Sequence, residues 1–484
     1  DITRELWTGS SNAVKQSLDE ILEIYIPNHL TSSERSAPIR ILVATNGYLV
    51  QNLSLDWTSY DDKVIANSFK LAFWNIDDIT RVTTEDYLYD SILKKEDQVL
   101  FRKTLMFLDL PEFDHSEYSN LLDNILSSTL SRKREIQKHL RIVRLLLDII
   151  FNWSIEINNL LPVTTLSHIT ILRSFAFIES NGLMRDKVVM KEFLEIQKHS
   201  RAIAVAYFNK VASHYDVEHS INRYAGNHIE SNLRCWQELG LTSILAMHEL
   251  NNFNIARGLK DKEKQEIYAS SLDTVGKSMN TLINTYTSLN YPQYDEHLIE
   301  INLAMQVLRW CRKENLGLLW IERMLVALHN QFKMKKMFPL FRANHEDLID
   351  TYFGKKEIKP ESSMLLATLF DWAVIFDSET TFNKIKEFIV SFERKISIQT
   401  WYPDQDTLSY YLVDNYSSKS GNVYSFKKIP TFEEYKKDLL ILRERFVKQD
   451  EFPAFRDGFE ILHSISSYHS RELPMPYLSH RFIT

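Results

Sequence analysis

The chain has 484 residues, 44% hydrophobic and 25% charged, with a formal net charge of −7. That length suits roughly two to four domains with sizeable cores, and the acidic balance argues against a general nucleic-acid coat while leaving room for a local basic groove. Eleven glycines and twelve prolines are too few for a turn-rich all-β fold, and two cysteines, Cys235 and Cys311, exclude a disulfide framework and point to a reducing compartment.

In chain order, residues 10–26 read as a capped helix, with Val14, Leu18, Ile21, Leu22 and Tyr25 on one face and Pro27 as its stop. Two short apolar strands follow, 39–44 and 69–74, separated by a helical segment. This strand–helix–strand order makes a crossover unit of a parallel sheet, expected to be the only sheet in the chain. The strands end at polar residues, Thr45, Asn46 and Gly47 after the first, and Asn75, Asp77 and Asp78 after the second. Chemistry in open parallel sheets sits beyond such carboxyl ends. The apolar run 99–108 is an edge strand or a helix, and Pro111 marks a domain boundary.

Successive helices are expected at 117–130, 132–153, 166–179, 187–213, 217–238, 240–258, 261–288, 295–313 and 315–333. Further helices are placed at 345–352, 362–376, 380–396 and 431–448. A loop holds Trp401, Tyr402 and Pro403, and a long polar loop runs near 415–430. The fold class is therefore α+β, predominantly α: a small N-terminal mixed or parallel sheet module, then a large helical domain. The domains are 1–112, 113–335 and 336–484. The most apolar run, 145–153, is too short to span a bilayer, and no signal peptide is visible, so the expected location is cytoplasmic, with no membrane partner.

The pattern ILVATNG-x-L-x-x-N followed by FWNIDDIT, within residues 38–80, resembles the closing half of restriction-endonuclease-like nuclease domains. These are the Mrr-like and related kinds found in bacterial anti-phage defence proteins. In that family the catalytic acid and the E-x-K or Q-x-K pair lie upstream of this segment. Only 38 residues precede the first strand here, so the expectation is a module without its catalytic half. The resemblance implies a divalent metal, Mg2+, only where that half is present, and no cofactor in this chain. Asn46, Asn52, Trp74, Asp77 and Asp78 are its fingerprint positions, read as turn-forming and capping residues. The function it implies is a nuclease-type effector of a prokaryotic defence system with a helical sensor. Its partners would be DNA and proteins, through self-association or an ATPase or other defence-complex subunit. The alternative is a non-enzymatic helical scaffold or adaptor that docks a partner protein.

Several clusters carry candidate chemistry. Arg134, Lys138 and Arg141 share a helical face, flanked by Arg132, Lys133 and Arg144, and cations one turn apart suit a phosphate backbone. The competing reading is a solvated face opposite an apolar side. His214, Asp216, Glu218 and His219 fall within six residues, where His214 and Glu218 on one helical face would offer two metal ligands. His248 and Glu249 lack the second histidine of a zinc-protease helix. Glu393, Arg394 and Lys395, with Asp377 upstream, formally satisfy E-x-K but lie in a helical stretch rather than on strands. In the tail, Tyr468, His469, Arg471, Tyr477, His480 and Arg481 gather around two prolines as an anion-binding corner, an interface or plain packing. No phosphate loop, dinucleotide fingerprint or nucleophile elbow is present.

Overall fold

The computed structural model describes residues 2–470 except 10–12, 36, 46, 67–68, 76–77, 79–92, 111–112, 127–132, 336, 341–344, 357–360, 393–395, 404–420, 427–428 and 449–459. Two compact units divide the chain, Asp1–Lys103 and Thr104–Thr484. The division falls inside a helix, Lys95–Phe107, formed by the run that sequence left open between strand and helix. Residues expected in two helical regions, 113–335 and 336–484, belong to one unit.

In the first unit, α1 (Val14–Glu20) continues through a wider turn, Ile21–Tyr25, into Ile26–His29. Strand β1 (Arg40–Ala44) and strand β2 (Lys70–Trp74) pair in parallel, Arg40 opposite Lys70 and Ala44 opposite Trp74, with α2 (Ser54–Ala66) between them in sequence. The parallel crossover expected from the strand–helix–strand order is present. Its core gathers Trp7, Leu18, Ile26, Ile41, Leu53, Tyr60 and Val64. Trp7 meets Trp57 and Tyr60 at ring-centroid distances of 5.7 Å each. Asp19 accepts from Tyr60 at 2.8 Å and from Lys63 at 2.9 Å, tying α1 to α2.

The second unit is a bundle. We label its helices α3 (Lys95–Phe107, shared with the division), α4 (Ser116–Leu126), α5 (Lys133–Glu156), α6 (Leu160–Ser180), α7 (Lys187–Val211), α8 (His228–Gly258) and α9 (Lys262–Thr285). They continue with α10 (Leu298–Trp310), α11 (Glu314–Lys335), α12 (His345–Tyr352), α13 (Met364–Ile375), α14 (Glu379–Val390), α15 (Phe432–Lys448) and α16 (Glu460–Ser470). The protein is thus predominantly α with small sheets. Helix α8 is the spine: every residue from Leu239 to Leu250 is buried, and α9, α10, α7 and α16 pack around it. Helix α6 is long and apolar enough to cross a membrane by length and composition, yet 67% of its apolar stretch is buried inside the unit. Its apolar surface goes to the protein's own core.

Three expectations are corrected. A second sheet exists: β4 (Ser397–Pro403) pairs antiparallel with β5 (Gly421–Phe426) and parallel with the short β3 (Ser362–Ser363). Trp401, Tyr402 and Pro403 therefore sit in a strand, and part of the expected 415–430 loop is β5. The helix expected over 217–238 starts only at His228, because the Asn227 side chain accepts from Glu230 N at 2.9 Å and caps it there. Helices expected at 217–238 and 240–258 are one element, since Gly240 is accommodated inside α8 rather than ending a helix.

Candidate functional site

At the carboxyl edge of β1 and β2, Asn75 and Asp78 cap each other. Asp78 N donates to Asn75 Oδ1 at 2.8 Å and Asn75 N to Asp78 Oδ2 at 3.3 Å. This reciprocal pattern satisfies two backbone donors, a structural task. Trp74 is half-buried and Asn52 lies exposed in a short 3-10 turn, while Asn46 and Asp77 lie outside the described residues.

The basic stripe sits on α5. Arg134 and Lys138 are exposed, and neither has an ion pair among the described residues. Arg141 donates from Nε (2.8 Å) and Nη2 (2.6 Å) to Glu192 of α7, Arg144 stands 3.8 Å from the same carboxylate, and Lys133 pairs with Asp186 at 2.6 Å. Much of the stripe's charge is committed to α7. Arg132 lies outside the described residues.

His214 ends a 3-10 turn and Glu218 lies in the turns that follow, so no helical face joins them. His219 pairs loosely with Glu218 at 3.7 Å. Among the described residues no group of three or more His, Cys, Asp or Glu is placed to hold a metal ion. Glu393, Arg394 and Lys395 lie outside those residues. Asp377 occupies a left-handed turn at φ 53° and accepts from Lys436 at 3.2 Å.

Polar groups concentrate instead inside the bundle along α8. Arg201 of α7 grips Glu249 side-on, Nε to Oε1 at 2.9 Å and Nη2 to Oε2 at 3.0 Å, and stacks over Tyr268 at 5.3 Å. Burial raises the Glu249 carboxyl while Arg201 opposes the shift. Glu238 accepts from Tyr207 at 2.6 Å and from Tyr215, which also bonds Thr242 at 2.8 Å. Asp295 accepts from Ser363 Oγ (2.7 Å), Met364 N (2.7 Å) and Leu365 N (3.1 Å), so it caps α13 from a distant segment. Burial nonetheless pushes its carboxyl up to about 6.

From α16, His469 Nε2 meets His168 Nδ1 of α6 at 2.8 Å. Burial, with the His248 imidazole adding, pushes His168 down to about 3. His248 is held down to about 3 by burial and by Arg201, and His463 to about 4 by burial. Tyr468 lies against Gly240, and its hydroxyl donates to Gln237 O at 3.2 Å.

Where these elements meet the surface they leave an open cleft of about 560 Å³. Glu230, Leu233, Arg234 and Gln237 come from one face of α8, at helical spacing. Thr165 of α6, Tyr294 and Glu296 before α10, and Tyr468 and His469 of α16 complete the wall. Arg234 Nε and Nη2 both donate to Glu230 Oε1 (3.0 and 2.5 Å), and Gly226 N holds the other carboxylate oxygen at 2.7 Å. Two residues of the sequence-identified tail cluster, Tyr468 and His469, are in this wall; Arg471, Tyr477, His480 and Arg481 lie outside the described residues. Sequence reasoning missed Thr165, Gln237, Glu230 and Arg234, and also the Arg201–Glu249 clamp elsewhere on α8. The available signal was Glu249 at the end of an otherwise apolar run, where an unpaired charge is too costly to keep.

No family model matches the chain, and no curated protein or solved structure matches it.

Proposed function

We propose that this chain is a docking component of a larger, cytoplasmic assembly, with the cleft between α6, α8 and α16 as its recognition point. One observation carries the reading. Charges of both signs, an imidazole and two phenols converge on one open cleft from four elements, with Arg234 and Glu230 paired to each other at its wall. Mixed charge with tyrosine and arginine suits a protein surface, where rim charges set register and aromatic rings supply contact area. A photo-crosslinking residue at position 237 is expected to give a protein adduct in cells producing the chain, and Arg234→Glu to abolish it. No adduct at 237, or one indifferent to Arg234→Glu, refutes the docking site.

The second reading is a nuclease-type effector of a prokaryotic anti-phage defence system. The parallel β1/β2 pair, with both strands ending on one edge at Thr45 and Asn75, supports it. A divalent metal and its carboxylates would then come from residues other than 38–80. Plasmid and single-stranded DNA incubated with Mg2+ decide between the two. Chelator-sensitive cleavage favours the effector, and intact DNA favours the docking component.

A further inference from the structure

Helix α16 is enclosed on every side: all eight residues from Ile461 to Tyr468 are buried. A helix in such a place is ordinarily apolar all round. Here four of those eight are histidine or serine, His463, Ser464, Ser466 and Ser467, and the aliphatic side chains are Ile461, Leu462 and Ile465 alone. So little apolar surface places α16 at the low-stability end of the bundle, where a local opening is least costly. Helices α8, α6 and α10 pack against it.

The α6–α8–α16 junction holds four histidines, His168, His248, His463 and His469. His168 Nδ1 and His469 Nε2 meet at 2.8 Å, so one ring nitrogen carries the hydrogen and the other accepts it. His168 is 0% exposed, and its Nε2 has no hydrogen-bond partner among the described residues; nor has His248 Nε2. Were His469 the donor, the His168 hydrogen would sit on that Nε2, a buried donor without an acceptor. His168 is therefore the donor at rest, and His469 Nε2 has no place for a further proton. Burial holds His168, His248 and His463 well below the ordinary histidine value of 6.5 as well.

The interior carboxylates are already engaged. On α8, Glu238 accepts from Tyr207 and Tyr215, and Glu249 is clamped by Arg201, itself a cation beside His248. Glu300 of α10 lies 3.4 Å from His297, and Arg173 of α6 is paired with Asp123. His469 shares the cleft wall with Tyr294, Glu296 and the Arg234–Glu230 pair.

We propose that α16 is an acid-released helix: proton uptake by the junction's imidazoles, sensed first at the His168–His469 contact, frees it from its groove and removes Tyr468 and His469 from the cleft wall. Histidine pairs and clusters suit this task, because their charge changes in the range where the packed form can hold only neutral rings. The consequence for docking rests on the cleft's recognition role; the release itself does not.

Hydrogen exchange on the full chain tests the release with no partner present, so its failure is separate from failure of the docking site. After correction for the chemical pH dependence of exchange, opening of residues 460–470 is expected to rise roughly tenfold or more between pH 7 and 5. That opening should exceed the opening of residues 239–250 and be insensitive to low urea, the mark of a sub-global event. His168→Gln and His469→Gln, which take up no proton, should each reduce the rise at least roughly threefold. A glutamine that merely loosens α16 raises opening at pH 7 and leaves the rise with acid intact. Opening at 460–470 that is independent of pH, that tracks 239–250 throughout, or that rises undiminished in both variants overturns the proposal.

Discussion

Gly240 offers the sharpest test of how α16 is seated. In an ordinary helix interior, Gly→Ala stabilises by about 1 kcal/mol through backbone entropy. Here an added Cβ would lie 2.2 Å from Tyr468 Cε2, 2.9 Å from its Cδ2 and 3.2 Å from Glu300 Cγ. The tyrosine ring must move by more than an ångström, yet it is only 7% exposed and is anchored by its hydroxyl on Gln237 O. Overpacking of this kind costs about 1–3 kcal/mol and the lost hydrogen bond about 1 more. Set against the helix gain, Gly240→Ala should destabilise the protein by about 1–3 kcal/mol. Tyr468→Ala alone should cost about 3 kcal/mol through its cavity, but in the double variant the clash is gone. The two changes should therefore fall short of additivity by about 2–4 kcal/mol, the overpacking and the hydrogen bond together. Urea unfolding of the four proteins measures this, and hydrogen exchange across residues 460–470 should rise in Gly240→Ala. If Gly240→Ala is as stable as the parent, or more so, then α16 does not pack on α8 through Tyr468 and the reasoning fails.

Arg201→Met leaves the Glu249 carboxylate buried and unpaired and should cost about 3–5 kcal/mol, whereas Arg201→Met with Glu249→Leu should recover most of it; equal losses in denaturant titrations would refute a paired clamp. Histidines 168, 248 and 463 are held well below the ordinary value of 6.5, so the unfolded chain binds more protons below that pH and stability drops as pH falls from 6.5 towards 3. Asp295, pushed up to about 6, acts oppositely between about 6 and its ordinary 3.8, so the clean readout is a difference: His168→Gln should lose less stability than the parent between pH 7 and about 5, by up to about 1.4 kcal/mol per pH unit, and parallel pH profiles would refute it. Changing Arg134, Lys138 and Arg141 together to Glu should leave the salt dependence of DNA binding unchanged, because Arg141 is paired with Glu192 and two exposed cations on one helix are the ordinary make-up of a solvated face; a slope smaller by about three units in fluorescence anisotropy would make α5 a phosphate-binding face.

Local order was legible in the chain itself. Alternating short apolar runs with polar ends located β1 and β2, and helical spacing located most of the bundle, because burial periodicity and capping are written into neighbouring residues. The same local rules misplaced β4 and β5: Ser397–Pro403 follows helical residues without a strong break, and Gly421–Phe426 sits in a polar stretch. Those strands exist because they pair with each other and with β3, and pairing energy depends on partners distant in sequence. The start of α8 lies at His228, where the Asn227 side chain caps it, eleven residues beyond the expected start at 217. The cleft was invisible beforehand. His168 and His469 are 301 positions apart, Asn232 meets carbonyls 56 and 59 positions away, and Arg201 finds Glu249 across 48. Which polar residues are consumed by the core, and which are left facing a cleft, is decided only when distant helices pack, since an ionisable side chain's role follows from its burial and its neighbours.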